Sequence, residues 1–476
     1  MSAAADLPLP VAGEPVRTDR WLEVRSPYDA ELVGRVPEAD AALVGRAVAA
    51  AREAFAAGGF AAHRRAAALD RAAGLVAERR ESLAATIVAE AGKPLRAARA
   101  EVDRCADTLR FSAVEARRLG GEVVPMEASA AGAGKLGVVL RVPRGVVAAI
   151  SPFNFPLNLV AHKLGPALAA GNAVVLKPAE QCPLSGLALV AILGEAGVPP
   201  AWLNVVCGPA AVGEALVGHP DVDAVSFTGS PAVGWRIAAA VPEKRVSLEL
   251  GSNAPLIVHG DGDWRRAADK AAAHAFSFAG QSCVSVQRVL VQEGIADQFE
   301  ERFVAATEAL RVGDPAEEAT DVGPLIGVRE RDRVLEWIAE AEELGGRLLC
   351  GGALRDDGRC LSPAIVAEPP REAKVWAEEV FGPVAVLRRY AVFDEAIELA
   401  NDSRFGLQAG VFTRDLGRAL RAARKLEFGG VLVNEAPTFR ADQQPYGGLR
   451  DSGNAREGPA YAIRELTEER FVAFSA

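Results

Sequence analysis

Short β-branched runs alternate with helix-like segments between residues 145 and 250, and this alternation is the strongest constraint on the fold. Successive parallel strands need crossover connections, which are usually helices, so the pattern predicts a parallel sheet with helices on both faces. The β-like runs are residues 145–150, 173–176, 203–206, 224–227 and 245–248. The helix-like segments between them are residues 159–170, 184–195, 211–217 and 232–240.

A second α/β pattern extends from residue 254 to about residue 434 and predicts a second domain. Its β-like runs are residues 256–258, 288–291, 384–387 and 410–412, with helix-like segments at 295–310 and 332–344. A boundary near Gly251 would leave a cleft between the two domains, and such clefts often hold binding sites. Upstream, the Ala/Pro-rich composition of residues 1 to about 20 predicts an extended arm. The helical spacing of the Ala-, Arg- and Glu-rich residues 38–118 predicts several amphipathic helices.

Composition argues against several classes of function. The net charge of −10 at pH 7 disfavours nucleic acid and anionic membranes as partners, because both attract clustered Lys and Arg. The six cysteines are scattered, which predicts reduced thiols in a cytoplasmic protein, and the five histidines form no metal-ligand cluster. The N-terminus lacks a signal-peptide pattern, and no uncharged apolar run reaches the roughly 18 residues of a membrane span.

Cys283 and Glu249 are the candidate catalytic pair. The thiol follows a Gly-Gln turn, and the carboxylate lies in the Leu-Glu-Leu-Gly sequence at the end of a β-like run. A thiol can attack an electrophilic carbon and a carboxylate can then activate a water, so the pair indicates covalent catalysis. Each residue alone also has a simpler interpretation, as a buried inert thiol and as a solvated strand end.

Three further segments follow predicted strands, where parallel sheets bind ligands. Asn154 could donate its amide to an oxyanion, although Asn is also an ordinary turn residue. Lys177 and Glu180 could bind a ribose of NAD, with the carboxylate repelling the 2′-phosphate of NADP; the alternative is a surface ion pair. The segment from Gly229 to Gly234 could hold a pyrophosphate at a helix N-terminus, although its spacing departs from G-x-G-x-x-G and also suits a plain strand–helix turn.

Residues 378–383 contain another candidate cofactor contact. Glu379 could bind a second ribose, and Phe381 could lie against a flat ring. The alternative interpretation is a helix that simply ends at the Gly-Pro sequence.

Together these motifs resemble the aldehyde dehydrogenase superfamily, over nearly the whole chain and in the family's order. The matching segments are residues 152–156, 163–172, 177–180, 227–230 with 234, 248–251, 280–283, 379–383 and 445–448 continuing to 452–453. The resemblance implies a Rossmann-type NAD-binding domain, an α/β catalytic domain and a small β oligomerisation element. These would be residues 1–120 with 143–250, residues 251–445, and residues 121–142 with 465–476.

The resemblance implies NAD-dependent oxidation of an aldehyde to a carboxylic acid. Cys283 would form a thiohemiacetal and then a thioester, Asn154 and the Cys283 backbone N–H would hold the oxyanion, and Glu249 would activate the hydrolytic water. Lys163 matches a lysine in a proposed proton path near the catalytic glutamate. The implied cofactor contacts are Ile150, Ser151, Pro152, Lys177, Glu180, Gly229, Ser230, Gly234, Leu250, Gly251, Glu379 and Phe381.

The resemblance also bears on assembly and on alternative activities. The family's β-hairpin pairs between subunits, which predicts a homodimer or a homotetramer. A carboxylate at Glu249 favours hydrolysis, because members that transfer the acyl group to coenzyme A tend to lack it. A CoA-acylating semialdehyde dehydrogenase and a catalytically silent scaffold remain the alternatives.

The predicted substrate residues are His162, Ser282, Val284 and Arg440. Small residues flank the thiol, and His162 replaces an aromatic residue that many members with apolar substrates carry. Arg440, in the loop before residues 445–448, could reach the mouth of the substrate tunnel. Together His162 and Arg440 would suit a short polar or anionic aldehyde. The alternative for Arg440 is a local pair with Asp442. Ser282 counts against phosphorylated or phosphonate aldehydes, whose enzymes often carry Arg there. The chain looks closest to lactaldehyde-dehydrogenase-like members.

Overall fold

The computed structural model describes residues 5–356 and 358–475. Residues 1–4 of the predicted arm, Asp357 of the predicted catalytic domain and Ala476 of the predicted oligomerisation element lie outside the described residues.

The strands of the described chain are β1 (Ala5–Asp6), β2 (Leu9–Val11), β3 (Glu14–Val16), β4 (Trp21–Arg25), β5 (Leu32–Pro37), β6 (Glu122–Val124), β7 (Lys135–Pro143), β8 (Val146–Ile150), β9 (Ala173–Lys177), β10 (Leu203–Val205), β11 (Ala224–Gly229), β12 (Arg245–Leu250), β13 (Pro255–Val258), β14 (Arg288–Gln292), β15 (Arg347–Cys350), β16 (Leu354–Arg355), β17 (Cys360–Leu361), β18 (Ala364–Ala367), β19 (Val384–Tyr390), β20 (Gln408–Phe412), β21 (Gly430–Val433) and β22 (Thr467–Ser475).

The α-helices are α1 (Ala41–Ala57), α2 (Ala62–Glu78), α3 (Arg80–Ala91), α4 (Leu95–Arg118), α5 (Asn158–Ala170), α6 (Leu184–Ala196), α7 (Ala210–Gly218), α8 (Pro231–Ala240), α9 (Trp264–Ala275), α10 (Glu293–Glu308), α11 (Val328–Glu343), α12 (Lys374–Ala377), α13 (Phe393–Asn401), α14 (Leu416–Lys425) and α15 (Pro459–Glu465). Short 3₁₀ helices lie at Met126–Ala128, Ala130–Gly132, Ser277–Gly280 and Arg450–Ser452.

The predicted alternation folds into a five-stranded parallel sheet in the order β10-β9-β8-β11-β12. Strands β9 and β10 extend to one side of β8, and β11 and β12 extend to the other, so the strand order reverses between β8 and β11. At such a switch point the loops after the two strands diverge and leave a crevice that binds ligands. Since β8 ends at Ile150 and β11 ends at Gly229, the segments that follow them lie at this crevice. The α/β prediction is confirmed.

The second α/β pattern forms a seven-stranded sheet in the order β15-β18-β19-β14-β13-β20-β21. Its pairs are parallel except for β15 with β18, which are antiparallel. The predicted runs correspond to β13, β14, β19 and β20. The prediction missed β15, β18 and β21, each of which is four residues long.

The N-terminal segment differs from the predicted extended arm. Strands β2 and β3 form a hairpin, and β1 pairs in parallel with β5. Leu9 and Val11 are buried on either side of Pro10, so an alternating pattern inside an Ala/Pro-rich sequence anchors the segment to the first core. The predicted amphipathic helices are α1 to α4, whose apolar faces pack into the same core.

A small antiparallel sheet combines distant parts of the chain in the order β22-β7-β6. The register runs from Thr467 opposite Pro143 to Ser475 opposite Lys135, so the described parts of the two segments predicted for oligomerisation pair with each other. Its exposed apolar side chains are Val123, Leu136, Leu140, Phe471 and Phe474. None of the helices within residues 5–356 and 358–475 combines the length and apolar composition that crossing a membrane requires.

Candidate active site

The loop before Cys283 holds a strained backbone. Phe278, Ala279 and Gly280 have consecutive φ angles of 50°, 52° and 69°, in the left-handed region that side chains with a Cβ rarely adopt. A Cβ at Gly280 would lie 2.0 Å from the carbonyl oxygen of Gly382, so only glycine fits this turn. Strain of this kind persists only where the surroundings enforce it, and it is concentrated at functional sites.

Gln281 fastens this loop to its surroundings. Its side-chain Nε2 donates to the carbonyl of Phe278 at 3.2 Å, and its Oε1 accepts from the backbone N–H of Ile326 at 2.8 Å. Gln281 is fully buried, so these bonds are shielded from water. The loop therefore presents the following Ser282 and Cys283 from a fixed backbone.

Asn154 lies against the same loop. Its Nδ2 donates to the carbonyl oxygen of Gln281 at 3.0 Å, two residues before Cys283. An amide nitrogen carries two hydrogens, so one remains for a further acceptor. The side chain is 3% exposed, and its Oδ1 has no hydrogen-bond partner among the described residues. Asn154 is therefore placed to donate to an oxygen bound near the thiol.

Cys283 is close to Tyr446, which is not among the predicted site residues. The Sγ atom lies 2.9 Å from the Oη of Tyr446, and both residues pack with Val284 and Leu407. Burial raises the pKa of the Cys283 thiol to about 12, against the hydrogen bond with Tyr446, which lowers it. The only sequence signal for Tyr446 was its place in the Pro-Tyr-Gly-Gly motif at residues 445–448.

Glu249 reaches the site from inside strand β12. Its carboxylate is 5% exposed, and neither oxygen has a hydrogen-bond partner among the described residues. A Cβ at Gly447, the residue after Tyr446, would lie 2.7 Å from Oε1, so this glycine allows the close approach. Burial raises the pKa of Glu249 well above its usual range, and the charge of Glu457 raises it further. A group with this raised pKa, free of competing bonds, is suited to general-base work.

Lys163 and Glu457 form the buried surroundings of Glu249. The Nζ of Lys163 donates to the Oγ1 of Thr228 at 2.7 Å and lies 3.9 Å from the Oε1 of Glu457. Burial lowers the pKa of Lys163, although both neighbouring carboxylates oppose the shift. Burial would raise the pKa of Glu457, but the charge of Arg440 and its other cationic neighbours hold it below its usual range.

Arg440 does not form the local pair with Asp442 that the sequence left as an alternative. Its Nη2 donates to Glu457 Oε2 at 2.9 Å, and no ion pair joins it to Asp442 among the described residues. The guanidinium lies 3.9 Å above the ring centroid of Tyr446, and its buried Nε has no hydrogen-bond partner in the described chain. That alternative is wrong because Glu457, seventeen positions away in sequence, is the closer carboxylate.

His162 has its own buried partners. Its Nε2 lies 2.9 Å from Asp442 Oδ1, and the Nη2 of Arg440 lies 3.1 Å from Nε2 and 3.3 Å from Nδ1. Because the nearest group, the Asp442 carboxylate, only accepts, we assign the proton of a neutral ring to Nε2, which leaves Nδ1 as the acceptor for Arg440. Burial and the charge of Arg440 also lower the pKa of His162. Asp442 is held from its other side by Arg104, through two bonds of 3.1 and 2.8 Å.

The predicted cofactor contacts on the first sheet lie along its carboxyl edge. Helix α8 begins at Pro231, so Gly229 and Ser230 lead directly into an N-terminus whose first N–H groups have no side-chain cap. A Cβ at Gly234 would lie 2.5 Å from Leu250 Cδ2, so the glycine lets the helix pack tightly on β12. The backbone N–H of Ser151 donates to Lys177 O at 3.2 Å, which joins the ends of β8 and β9.

Glu379 reaches the same edge from the loop between α12 and β19. Its Oε1 accepts from the backbone N–H of Ser252 at 3.0 Å, and burial raises the pKa of Glu379 to about 7. A Cβ at Gly251 would lie 2.0 Å from Oε2, so the two approach without intervening atoms. Phe381 has a φ of 46° and makes an edge-to-face contact with Phe153 at 5.7 Å.

The edge suits a dinucleotide by its chemistry. Ser151 and Ser252 each bury a hydroxyl with no partner among the described residues, so both can bind a polar ligand. Lys177 is buried and burial lowers its pKa, whereas Glu180 is exposed at the end of the same loop. The donor groups, the uncapped helix terminus and the carboxylates match phosphate and ribose groups. In the part of the chain that the structure describes, no cluster of three His, Cys, Asp or Glu side chains could hold a metal ion.

Comparisons with known proteins show similarity over nearly the whole chain. A family model described as the aldehyde dehydrogenase family matches residues 15–472. The 3-sulfolactaldehyde dehydrogenase of Priestia aryabhattai is 44% identical, covering 98% of this chain and 97% of that protein. The NADP-dependent succinate-semialdehyde dehydrogenase of Escherichia coli K12 is 39% identical, covering 95% and 94%. The crystal structure of an NAD-dependent aldehyde dehydrogenase from Sinorhizobium meliloti superposes with a TM-score of 0.96 at 35% identity, covering 99% and 95%.

Proposed function

The chain belongs to the aldehyde dehydrogenase family, and on that premise we propose that it oxidises a small polar or anionic aldehyde to the carboxylic acid with NAD, through Cys283. It is an oxidoreductase that acts on aldehydes, and its family uses NAD or NADP. The observation that carries the proposal is the convergence of a thiol, an amide donor and an unpaired buried carboxylate. Asn154 donates to the loop that carries Cys283, and Glu249 lies against Gly447, the residue after the Tyr446 that contacts the thiol.

Cys283 acts as the nucleophile in this proposal. Its thiolate adds to the aldehyde carbon and forms a thiohemiacetal, whose oxygen takes up the negative charge. The free N–H of Asn154 and the backbone N–H of Cys283 donate to that oxygen. When bound, the nicotinamide supplies the hydride acceptor that turns this adduct into a thioester.

Glu249 then acts as the general base. It removes a proton from a water, which attacks the thioester carbon and releases the carboxylic acid, and the leaving sulfur returns as thiolate. Burial and the nearby Glu457 raise the pKa of Glu249, so the carboxylate holds a proton more readily than an exposed one would. Lys163 lies close enough for its charge to act on Glu249, which supports a place for it in proton exchange.

The cofactor contacts in this proposal lie along the carboxyl edge of the first sheet and in the loop between α12 and β19. Lys177 and Glu180 hold the adenosine ribose, the N-terminus of α8 holds the pyrophosphate, and Glu379 holds the second ribose. The exposed carboxylate of Glu180 favours NAD, because a 2′-phosphate beside it would be repelled. The remaining contacts assigned to the cofactor are Ile150, Ser151, Pro152, Gly229, Ser230, Gly234, Leu250, Gly251 and Phe381.

The substrate class rests on the polar side of the site. The buried Nε of Arg440 has no hydrogen-bond partner among the described residues, and the guanidinium lies over the ring of Tyr446. Because the Tyr446 hydroxyl contacts the thiol, a short anionic substrate bound there could accept a hydrogen bond from Arg440 Nε. The names of the two relatives given above specify sulfolactaldehyde and succinate semialdehyde, both small anions. Both nitrogens of His162 are engaged by protein groups, so it shapes the site and orients Arg440. Ser282 and Val284, which flank the thiol, are small and suit a short substrate.

We also propose a homodimer or homotetramer. Strand β22 lies at the edge of its sheet and carries the exposed Phe471 and Phe474, and Leu136 on the neighbouring β7 is exposed as well. An exposed edge strand with apolar side chains tends to be covered in the assembled protein.

The test is NADH formation over a panel of aldehydes, with NAD and NADP in parallel, for wild type and Cys283→Ala. We expect turnover with NAD that is lost in the variant, and the highest kcat/KM for a short anionic aldehyde. Turnover that requires coenzyme A would favour the acylating alternative. Absence of turnover with every aldehyde, with or without coenzyme A, would favour a silent scaffold.

A further inference from the structure

Within the part of the chain that the structure describes, Tyr446 is the side chain that makes a hydrogen bond to the Cys283 thiol. Its Oη lies 2.9 Å from Cys283 Sγ, while its ring carries the guanidinium of Arg440 at 3.9 Å. The tyrosine is 3% exposed, so both contacts are largely shielded from water. Arg440 is itself held by Glu457. These contacts connect the thiol to a fixed cation through a single aromatic ring.

We propose that Tyr446 is a catalytic residue whose phenol donates a hydrogen bond to the Cys283 thiolate and stabilises it for attack. This inference rests on Cys283 being the nucleophile. In the step, the S–H proton passes to solvent water, which the partly exposed Cys283 can reach, and the sulfur keeps the electron pair. The O–H bond of the phenol stays intact and donates a hydrogen bond to the sulfur. No covalent bond forms between the two side chains.

The direction of this hydrogen bond follows from the charges around it. A thiolate only accepts, so the phenol must donate to it once the thiol has ionised. A cation over the ring withdraws electron density and makes the O–H a stronger donor. Burial raises the pKa of Tyr446 well above its usual range, so the phenol keeps its proton at the pH where the thiol reacts. The hydrogen bond is correspondingly one of the effects that lower the pKa of Cys283.

Other charged groups also face the thiol and could shift its titration. Arg440 favours the thiolate, whereas Glu249 and Glu379 disfavour it. All three remain in place when only the phenol oxygen is removed. A Tyr446→Phe variant therefore isolates the hydrogen bond, and its ring keeps the packing with Val284 and Leu407.

The experiment is alkylation of the full-length protein by iodoacetamide without added cofactor, with the Cys283 peptide quantified by mass spectrometry over a range of pH. Below the thiol pKa the rate is proportional to the thiolate fraction. Loss of one hydrogen bond to a charged group raises the pKa by about one unit, so we expect Tyr446→Phe to react about tenfold more slowly. Removing an oxygen widens access to the sulfur, so steric change would act in the opposite direction.

Tyr461→Phe serves as the matched control, because Tyr461 lies on helix α15 and makes no hydrogen bond to Cys283. We expect its alkylation profile to match that of wild type. An unchanged or faster rate in Tyr446→Phe would overturn the proposal, because it would mean that the phenol accepts from the thiol or has no effect on it. The readout needs no turnover, so it stays separate from the Cys283→Ala test: lost turnover in Cys283→Ala with unchanged alkylation in Tyr446→Phe would reject only the role of Tyr446.

Discussion

The Nε2 of His162 lies 2.9 Å from the Oδ1 of Asp442, although the two residues are 280 positions apart in sequence. Asp442 also receives the fork of Arg104, and His162 in turn contacts Arg440. Helix α5, helix α4 and the loop near the C-terminus thus meet in one buried polar cluster. This cluster fixes Arg440 beside the ring of Tyr446 and so connects the substrate side of the site with the thiol.

Asp442→Asn should weaken both the fold and substrate binding. It removes a 5% exposed charge that accepts hydrogen bonds from Arg104 and His162, which we expect to cost about 1.5–3 kcal/mol of unfolding free energy. The two partners hold the pKa of Asp442 below its usual range despite its burial. Its stabilising effect is therefore present above the unfolded pKa of about 4 and is lost as pH falls through the lower folded value.

The measurement is chemical denaturation of wild type and Asp442→Asn at several pH values. The difference between the two proteins should be largest near neutral pH and should shrink in acid. Asp107→Asn, which removes an exposed carboxylate from the same helix α4 that carries Arg104, is the control, and we expect a change within about 0.5 kcal/mol. A difference that grows in acid would contradict the assignment.

How much of this site could be predicted from the sequence depends on how far apart in the chain the contacting residues lie. Glu249 and Asn154 were recognisable because each directly ends or follows a short β-branched run, which is a local pattern. The cluster of Arg104, Asp442 and Glu457 was not, because its members lie on separate elements and each alone reads as a solvated charge. The contact of Tyr446 with the thiol could not be predicted for a related reason. A tyrosine in a glycine-rich loop gives no local indication that a cysteine 163 positions away contacts its hydroxyl.

Glu249→Gln should block the second half of the reaction. The amide keeps the size of the side chain but cannot accept a proton from water, so hydrolysis of the thioester should slow by about 10²- to 10⁴-fold. Formation of the thioester should continue, and we expect a burst of NADH equal to the enzyme concentration in stopped-flow absorbance. Glu243→Gln, at an exposed position before β12, should turn over like wild type. Full steady-state turnover in Glu249→Gln would exclude it as the base.

Glu457→Gln should move the pH dependence of turnover toward acid. Burial raises the pKa of Glu249, and the charge of Glu457 raises it further. When the Glu457 charge is removed, the charges of Arg440 and Lys163 still favour the ionised form of Glu249. A base works when deprotonated, so kcat rises with pH through its pKa, and we expect the acid limb of the kcat profile to move to lower pH. The measurement is kcat against pH under saturating substrate. A limb that stays in place or moves toward alkaline pH would contradict this coupling.

Glu180→Gln should relax the cofactor preference. The exposed carboxylate follows strand β9, where it would face the 2′ position of the adenosine ribose, and its neutral counterpart no longer repels a phosphate. We expect the ratio of kcat/KM for NAD to that for NADP to fall at least tenfold, mainly through KM. Glu78→Gln, exposed at the end of α2, should leave the ratio unchanged. An unaltered ratio in Glu180→Gln would place the discrimination elsewhere.

Replacing Phe471 and Phe474 together with Asp should dissociate the assembly. Both side chains are more than half exposed on strand β22, and burying a phenylalanine contributes about 1.5–3 kcal/mol, so charges there should weaken self-association at least a hundredfold. Sedimentation velocity over a range of concentrations measures the shift from dimer or tetramer to monomer. Leu344→Asp, at an exposed apolar residue after α11, is the control and should keep the wild-type mass. If wild type is itself a monomer at every concentration, or if the double variant keeps the wild-type mass, this strand does not hold subunits together.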